Sequence, residues 1–266
     1  MKIGIFDSGL GGLFIAKHIM AALPQYDYVY LADTAHLPYG TRSQAQIYEL
    51  TRRAVKYLFE KHNCVLVILA CNTASSQALR KLQREYLPRH FSGRRILGVI
   101  IPSVEDSLRR GAKRVGILAT PATVASRTFI KEFHLAAPRT RVFQQAAPLL
   151  VPMIERGELP LIKPVLKSYL APLLARKIDT VVLGCTHYGI LKFKVRALVG
   201  PRLKIISQAE VVPEKLVDYL KRHPEMETRL SRHRKKVFLV TSLSKDFASP
   251  AREWFGKKIA LRRVQY

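Results

Sequence analysis

The chain has 266 residues, 48% hydrophobic and 24% charged, the proportions of a folded protein rather than a disordered one. No apolar run approaches the roughly 18 residues of a membrane helix, and the three cysteines, Cys64, Cys71 and Cys185, are too few for a disulfide framework. A formal net charge of +26, from 45 Lys plus Arg against 19 Asp plus Glu, makes an anionic partner such as nucleic acid worth weighing.

In chain order, the runs IGIF, YVYLA, VLVILA, ILGVI, VGILA, TVVLG and FLVTS have the length and β-branched content of buried strands. Each leads into a loop and usually a helix. The clearest helix follows Ser43, where Ile47, Leu50, Thr51, Ala54, Val55, Leu58 and Phe59 recur at spacings of three and four. Such alternation predicts an α/β fold with mostly parallel sheets flanked by helices.

A faint internal repeat sets the domain count. VGILATPAT echoes IGIFDSGLG, and TVVLGCTHYG echoes VLVILACNTAS; Gly4 and Cys71 are 67 positions apart, Gly116 and Cys185 69. Buried strands resemble one another, so chance similarity is the competing explanation. Taken as real, the repeat predicts two pseudo-symmetric domains, residues 1–95 plus 207–266 and residues 96–206, with both cysteines in the interdomain cleft. Asp7 then belongs to the Cys71 wall and His187 to the Cys185 wall.

The basic excess is spread out: residues 1–40 carry −1, and each later segment of 50 to 60 residues carries +5 to +8. Clusters occur at Arg109 to Arg114, Lys192 to Arg196, Arg232 to Lys236 and Lys257 to Arg263, none of them a long tail. A generally basic solvated surface is favoured over a dedicated nucleic-acid site. The opening MKIGIFDSGLGG has no cleavable signal architecture, and a reducing cytoplasm, without a membrane partner, is the expected setting.

Cys71 follows the apolar strand VLVILA and opens the polar segment CNTASSQ before a helix containing Ala78, Leu79 and Leu82. Ligands bind beyond the carboxyl ends of strands in open α/β sheets, and the N–H groups of a helix start favour a thiolate. Asn72, Thr73 and Ser75 add donors for a carboxylate. Taken alone, Cys71 reads as a buried cysteine at an ordinary helix cap, the more common case for a lone cysteine. Cys185 occupies the same strand-end position in the second half, followed by Thr186, His187 and Tyr188, and the pair is harder to dismiss. Zinc is disfavoured because no CxxC or HxxxH spacing supplies a fourth ligand. A Cys-His hydrolytic pair leaves the second thiol without a use. Cys64 reads as core. The segment Asp7, Ser8, Gly9, Leu10, Gly11, Gly12 matches neither GxGxxG nor GxxxxGK[ST], and its carboxylate would repel phosphate. It suits an ammonium group or a thiol proton, with glycines allowing close backbone approach; a capped tight turn is the plainer alternative.

FDSGLGG, YLADTAHLPYG, ACNTAS, LLVPMIERG and LGCTHYG, in that order, resemble the glutamate racemases of the aspartate/glutamate racemase superfamily over essentially the whole chain. The Asp7-Ser8 opening favours glutamate over aspartate within it. The resemblance implies racemisation of glutamate without pyridoxal phosphate, another cofactor or a metal, supplying D-glutamate for peptidoglycan. It implies Cys71 and Cys185 as the acid/base pair, assisted by Asp7, His187 and Glu155. Asp7, Ser8, Tyr39, Gly40, Asn72, Thr73, Thr123, Thr186 and His187 match substrate-contact positions. Gly189 stands where the family pattern has proline, and Ser207-Gln208 where many members have Asp-Ser. Some members are said to inhibit DNA gyrase, so a DNA gyrase or nucleic-acid interaction through the basic surface is the competing role. A homodimer is compatible with the family.

Overall fold

The computed structural model describes residues 1–243, 255–256 and 259–266; Lys257 and Lys258 of the last basic cluster lie outside them. In chain order the strands are β1 (Lys2–Asp7), β2 (Tyr28–Ala32), β3 (Cys64–Leu69), β4 (Arg95–Gly98), β5 (Arg114–Ala119), β6 (Arg141–Ala146), β7 (Thr180–Gly184), β8 (Lys204–Ile206), β9 (Lys236–Val240) and β10 (Leu261–Arg263). They form two sheets, ordered β10-β9-β2-β1-β3-β4 and β6-β5-β7-β8, and every neighbouring pair is parallel.

The block β2-β1-β3-β4 recurs in the second sheet as β6-β5-β7-β8. The sequence echo is therefore structural, with β1 and β3 answered by β5 and β7. In each sheet the chain leaves the first strand of the block to one side and returns on the other. The gaps between β1 and β3, and between β5 and β7, are thus the switch points where such sheets bind ligands.

Buried parallel strands must be apolar on both faces, and β2, β3 and β7 are buried at every residue. All seven apolar runs form strands, although ILGVI is cut short: β4 ends at Gly98 and helix Ile100–Arg109 takes the rest. β6, β8 and β10 were not foreseen; β6 is polar and half-exposed, and the other two have three residues each.

Helix Gln44–Glu60 begins where expected. Ser43 Oγ accepts from the Gln46 N–H at 3.3 Å and Gln46 Oε1 from the Ser43 N–H at 3.1 Å, a reciprocal cap that satisfies two free donors. Its buried stripe is Ile47, Thr51, Ala54, Val55, Leu58 and Phe59, with Leu50 half-buried; each large apolar side chain buried there contributes about 1.5–3 kcal/mol. Behind the first sheet, helices Gly12–Ala22 and Gln208–Arg222 bury Leu13, Ile19, Val212 and Leu216 in one core. That core continues into Leu166, Tyr188 and Leu191 of the second half. This two-domain α/β fold brings the carboxyl ends of both blocks to one cleft.

Candidate active site

Each four-stranded block delivers its chemistry from the ends of its two inner strands. β1 ends on Asp7, with Ser8 next; β3 ends on Leu69, and Cys71 caps helix Asn72–Gln77. Across the cleft β5 runs into Thr120, which caps helix Pro121–Ser126, and β7 into Cys185, which precedes the turn Thr186–Leu191. Because β1 pairs with β3, Asp7 shares a wall with Cys71. His187 follows Cys185 on the opposite wall.

A cavity of about 110 Å³ lies between them, lined by both cysteines and by Ser8, Tyr39, Gly40, Asn72, Thr73, Thr186 and His187. Asp7, Thr123 and Glu155 are not on its wall and act through neighbours. Asp7, fully buried, accepts from the N–H groups of Gly9 at 3.2 Å and Gly12 at 3.0 Å. Thr123 accepts from Thr120 at 2.9 Å, and Thr73 lies 3.0 Å from Thr120, so three threonines join the walls. Glu155 lies 3.1 Å from His187 Nε2. The Tyr39 hydroxyl turns away from the cavity and donates to Asp33 at 2.6 Å.

The glycines of the Asp-Ser-Gly segment are required by crowding. A Cβ on Gly11 would stand 2.5 Å from His187 Nδ1 and 2.6 Å from Thr186 Oγ1, and one on Gly12 would stand 2.5 Å from Asp7 Cβ. The expected close backbone approach is therefore made across the cleft, between the two halves.

The two thiols have different surroundings. Cys71 Sγ lies 3.3 Å from Ser8 Oγ and accepts from the Ala74 N–H at 3.5 Å. The helix start was expected to favour the thiolate. Burial, reinforced by the Asp7 carboxylate, instead pushes the Cys71 thiol up to about 12, outweighing those donors. Cys185 Sγ lies 3.9 Å from His187 Nδ1. Burial opposes the imidazolium, yet Cys185 and Glu155 more than offset it and lift His187 to about 10. Burial also raises Asp7, although His187 and the glycine N–H groups pull the other way.

Sequence reasoning missed Thr120, although it stands in the repeat where Ser8 stands after β1. It also missed Asp33, which holds Tyr39, and the part Gln208 plays. The departures have structural counterparts. A Cβ on Gly189 would stand 2.9 Å from Phe14 Cδ1, so the Phe14 ring packs where a side chain at 189 would begin. Gln208 forms a reciprocal amide pair with Asn72, at 2.6 and 2.7 Å. Among the described residues no group of three His, Cys, Asp or Glu side chains could hold a metal ion, and no helix is long and apolar enough to cross a membrane.

The family model described as Asp/Glu/Hydantoin racemase matches residues 15–212. A glutamate racemase of Roseobacter denitrificans is 39% identical over 273 residues, covering 97% of this chain and 98% of its own length. Among solved structures, a glutamate racemase isoform from Bacillus anthracis superposes with a TM-score of 0.89 at 28% identity, over 99% of this chain and 97% of that one. The glutamate racemase of Francisella tularensis, in complex with D-glutamate, does so with a TM-score of 0.88 at 31% identity, over 99% and 97%. With matches of this extent in sequence and in fold, the chain belongs to the Asp/Glu/hydantoin racemase family.

Proposed function

We propose that this protein interconverts L- and D-glutamate, with Cys71 and Cys185 as the two acid/base groups. The observation that carries the reading is that equivalent strand ends of the two repeats each place one thiol on the same small cavity. Glutamate is supported by the relatives named above and by the D-glutamate complex of one of them.

Inversion requires a proton to leave one face of the α-carbon and another to arrive on the opposite face. In one direction the Cys185 thiolate, held beside the His187 imidazolium, takes the α-proton as the C–H electron pair passes to the α-carbon and its carboxylate. The Cys71 thiol then delivers its proton to the other face. The product is the opposite enantiomer with the two protonation states exchanged, and the reverse turnover restores them. The α-proton is far less acidic than either thiol, so several kcal/mol must come from exclusion of water and from donors on the developing charge. Asn72, Thr73 and Thr186 line the wall assigned to the carboxylate, and Asp7, behind that wall, acts through the Thr186 hydroxyl and through its charge on Cys71 and His187. Ser8, Tyr39 and Gly40 complete the wall, Thr123 supports Thr73, and Glu155 steadies His187.

The chain division that goes with this reading, residues 1–95 plus 207–266 and residues 96–206, has its first boundary moved to after Gly98, because β4 pairs with β3 in the first sheet. The product would supply D-glutamate for peptidoglycan. The test is incubation of the purified protein with L-glutamate in D2O. Loss of optical activity with deuterium entering the α-position is expected, and unchanged L-glutamate would overturn the reading.

A further inference from the structure

Gln208 begins helix Gln208–Arg222 just past β8, where the chain has left the second sheet. Its side chain is 3% exposed and reaches Asn72, the residue after Cys71. Asn72 Nδ2 donates to Gln208 Oε1 at 2.6 Å, and Gln208 Nε2 donates to Asn72 Oδ1 at 2.7 Å. Gln208 Nε2 also donates to the Val99 carbonyl and to Ser103 Oγ, both at 3.3 Å. Val99 and Ser103 belong to the segment that carries the chain from β4 to the second sheet. Gln208 thus ties both chain crossings to the wall beside Cys71.

The pattern leaves one orientation. A carbonyl only accepts, and the Ser103 hydroxyl already spends its proton on the Val99 carbonyl at 2.9 Å. The nitrogen of Gln208 must therefore face Val99 and Ser103. Gln208 Oε1 then faces the Asn72 amino group, and Asn72 Oδ1 is held on the Gln208 nitrogen. Asn72 lines the cavity, and among the described residues its second Nδ2 hydrogen takes no acceptor.

We propose that Gln208 is a positioning residue that locks the Asn72 amide with its N–H toward the cavity, so that this wall selects a substrate α-carboxylate over an uncharged α-carboxamide. The proposal rests on the glutamate reading for the identity of the substrate. A free Asn72 can rotate and offer its carbonyl instead, which accepts from a carboxamide but repels a carboxylate. A hydrogen bond to a charged group contributes about 1.5–3 kcal/mol, so its loss weakens carboxylate binding by about tenfold or more.

The test compares the parent with Gln208→Met, which keeps the side-chain length and removes the amide. Affinities are measured for L-glutamate and for L-isoglutamine, its α-carboxamide. The variant is expected to bind L-glutamate about tenfold more weakly and L-isoglutamine within about threefold of the parent, with KM rising more than kcat falls. Equal weakening of both ligands would mean a general loss of the site and would overturn the proposal, as would no change in either. If Gln208→Met does not fold, Ser103→Ala withdraws one anchor of the Gln208 amide. It should shift the same ratio in the same direction, and an unchanged ratio counts against the proposal. L-aspartate and its α-carboxamide are run alongside. A parent that ignores glutamate but discriminates this second pair sinks the glutamate reading alone.

Discussion

The Thr186 hydroxyl donates to Asp7 Oδ1 at 3.5 Å, joining the turn after β7 in one sheet to the end of β1 in the other. The two residues are 179 positions apart, and they meet because no side chain on Gly11 separates them. The contact bridges the two walls, with Ser8 and Cys71 on the Asp7 side and Cys185 and His187 on the Thr186 side.

Gly11→Ala tests that closeness. Its methyl would stand 2.5 Å from His187 Nδ1, so the walls must part or the imidazole must leave Cys185. Overpacking of this kind costs about 1–3 kcal/mol. The variant is expected to unfold at lower denaturant concentration and to lose about 100-fold or more in kcat/KM, since misplacement by about 1 Å already costs that much. Steady-state kinetics beside a urea titration would read both, and an active, equally stable variant would contradict the crowding argument.

Replacing either thiol separates one-base from two-base chemistry. Cys71→Ala and Cys185→Ala should each lose racemisation by about 1,000-fold or more, because one proton-transfer partner is missing, while their melting temperatures stay near that of the parent. Each should still eliminate a β-leaving group such as chloride from one enantiomer of a substrate analogue, a step that needs one base. Elimination from both enantiomers by a single variant would contradict opposed thiols.

The surroundings of Cys71 predict its alkylation profile. A thiol pushed to about 12 leaves only about one part in 10⁴ as thiolate at pH 8. Iodoacetamide labelling of Cys71, followed by peptide mass spectrometry in the Cys185→Ala background, should keep rising through pH 10 without a plateau. A plateau near pH 8 would mean that the donors from Ser8 and Ala74 prevail over burial.

His187 links the site to stability. Its folded value of about 10 lies above the ordinary 6.5. The stabilisation it supplies is therefore complete below about 6.5 and disappears as pH rises through 10. The difference in melting temperature between the parent and His187→Asn should be largest at pH 6 and should shrink toward pH 10.5. A difference that grows with pH would contradict an imidazolium held by Cys185 and Glu155.

The parts legible in the sequence are those with dense local signals. Buried parallel strands such as Cys64–Leu69 need an unbroken apolar run, so their order and the strand-end placement of Cys71 and Cys185 could be read directly. The helix after Ser43 carries its own cap and period. β6 is a half-exposed polar edge strand, and β8 and β10 span three residues each, too few for a period to show. The helix after Cys71 was expected to run on through Leu82. It is instead broken at Ala78 and passes through a wider turn over Leu82–Tyr86. Of the site, Ser8 was visible and its counterpart Thr120 was not. The repeat pairs strands well, but the loop Ser8–Gly12 after β1 and its counterpart Thr120–Val124 after β5 share no residue types. Tyr39 lines the cavity while its hydroxyl serves Asp33, a direction set by tertiary packing. Gln208 could be seen only as a departure from a pattern, because its partner is 136 positions away.

The basic surface gives a separate expectation. Binding to duplex DNA, where it occurs, should fall steeply with salt and show little sequence preference, since dispersed Lys and Arg neutralise phosphates without reading bases. Fluorescence anisotropy at two salt concentrations with two unrelated duplexes would check it. Salt-resistant binding to one sequence would point to a dedicated site.

The most direct test of the two-thiol account is the circular dichroism of L-glutamate followed in the presence of the purified parent, Cys71→Ala and Cys185→Ala. The account predicts decay to zero signal with the parent and a flat trace with each variant. A parent that leaves the signal unchanged, or either variant that brings it to zero at the parent's rate, would contradict it.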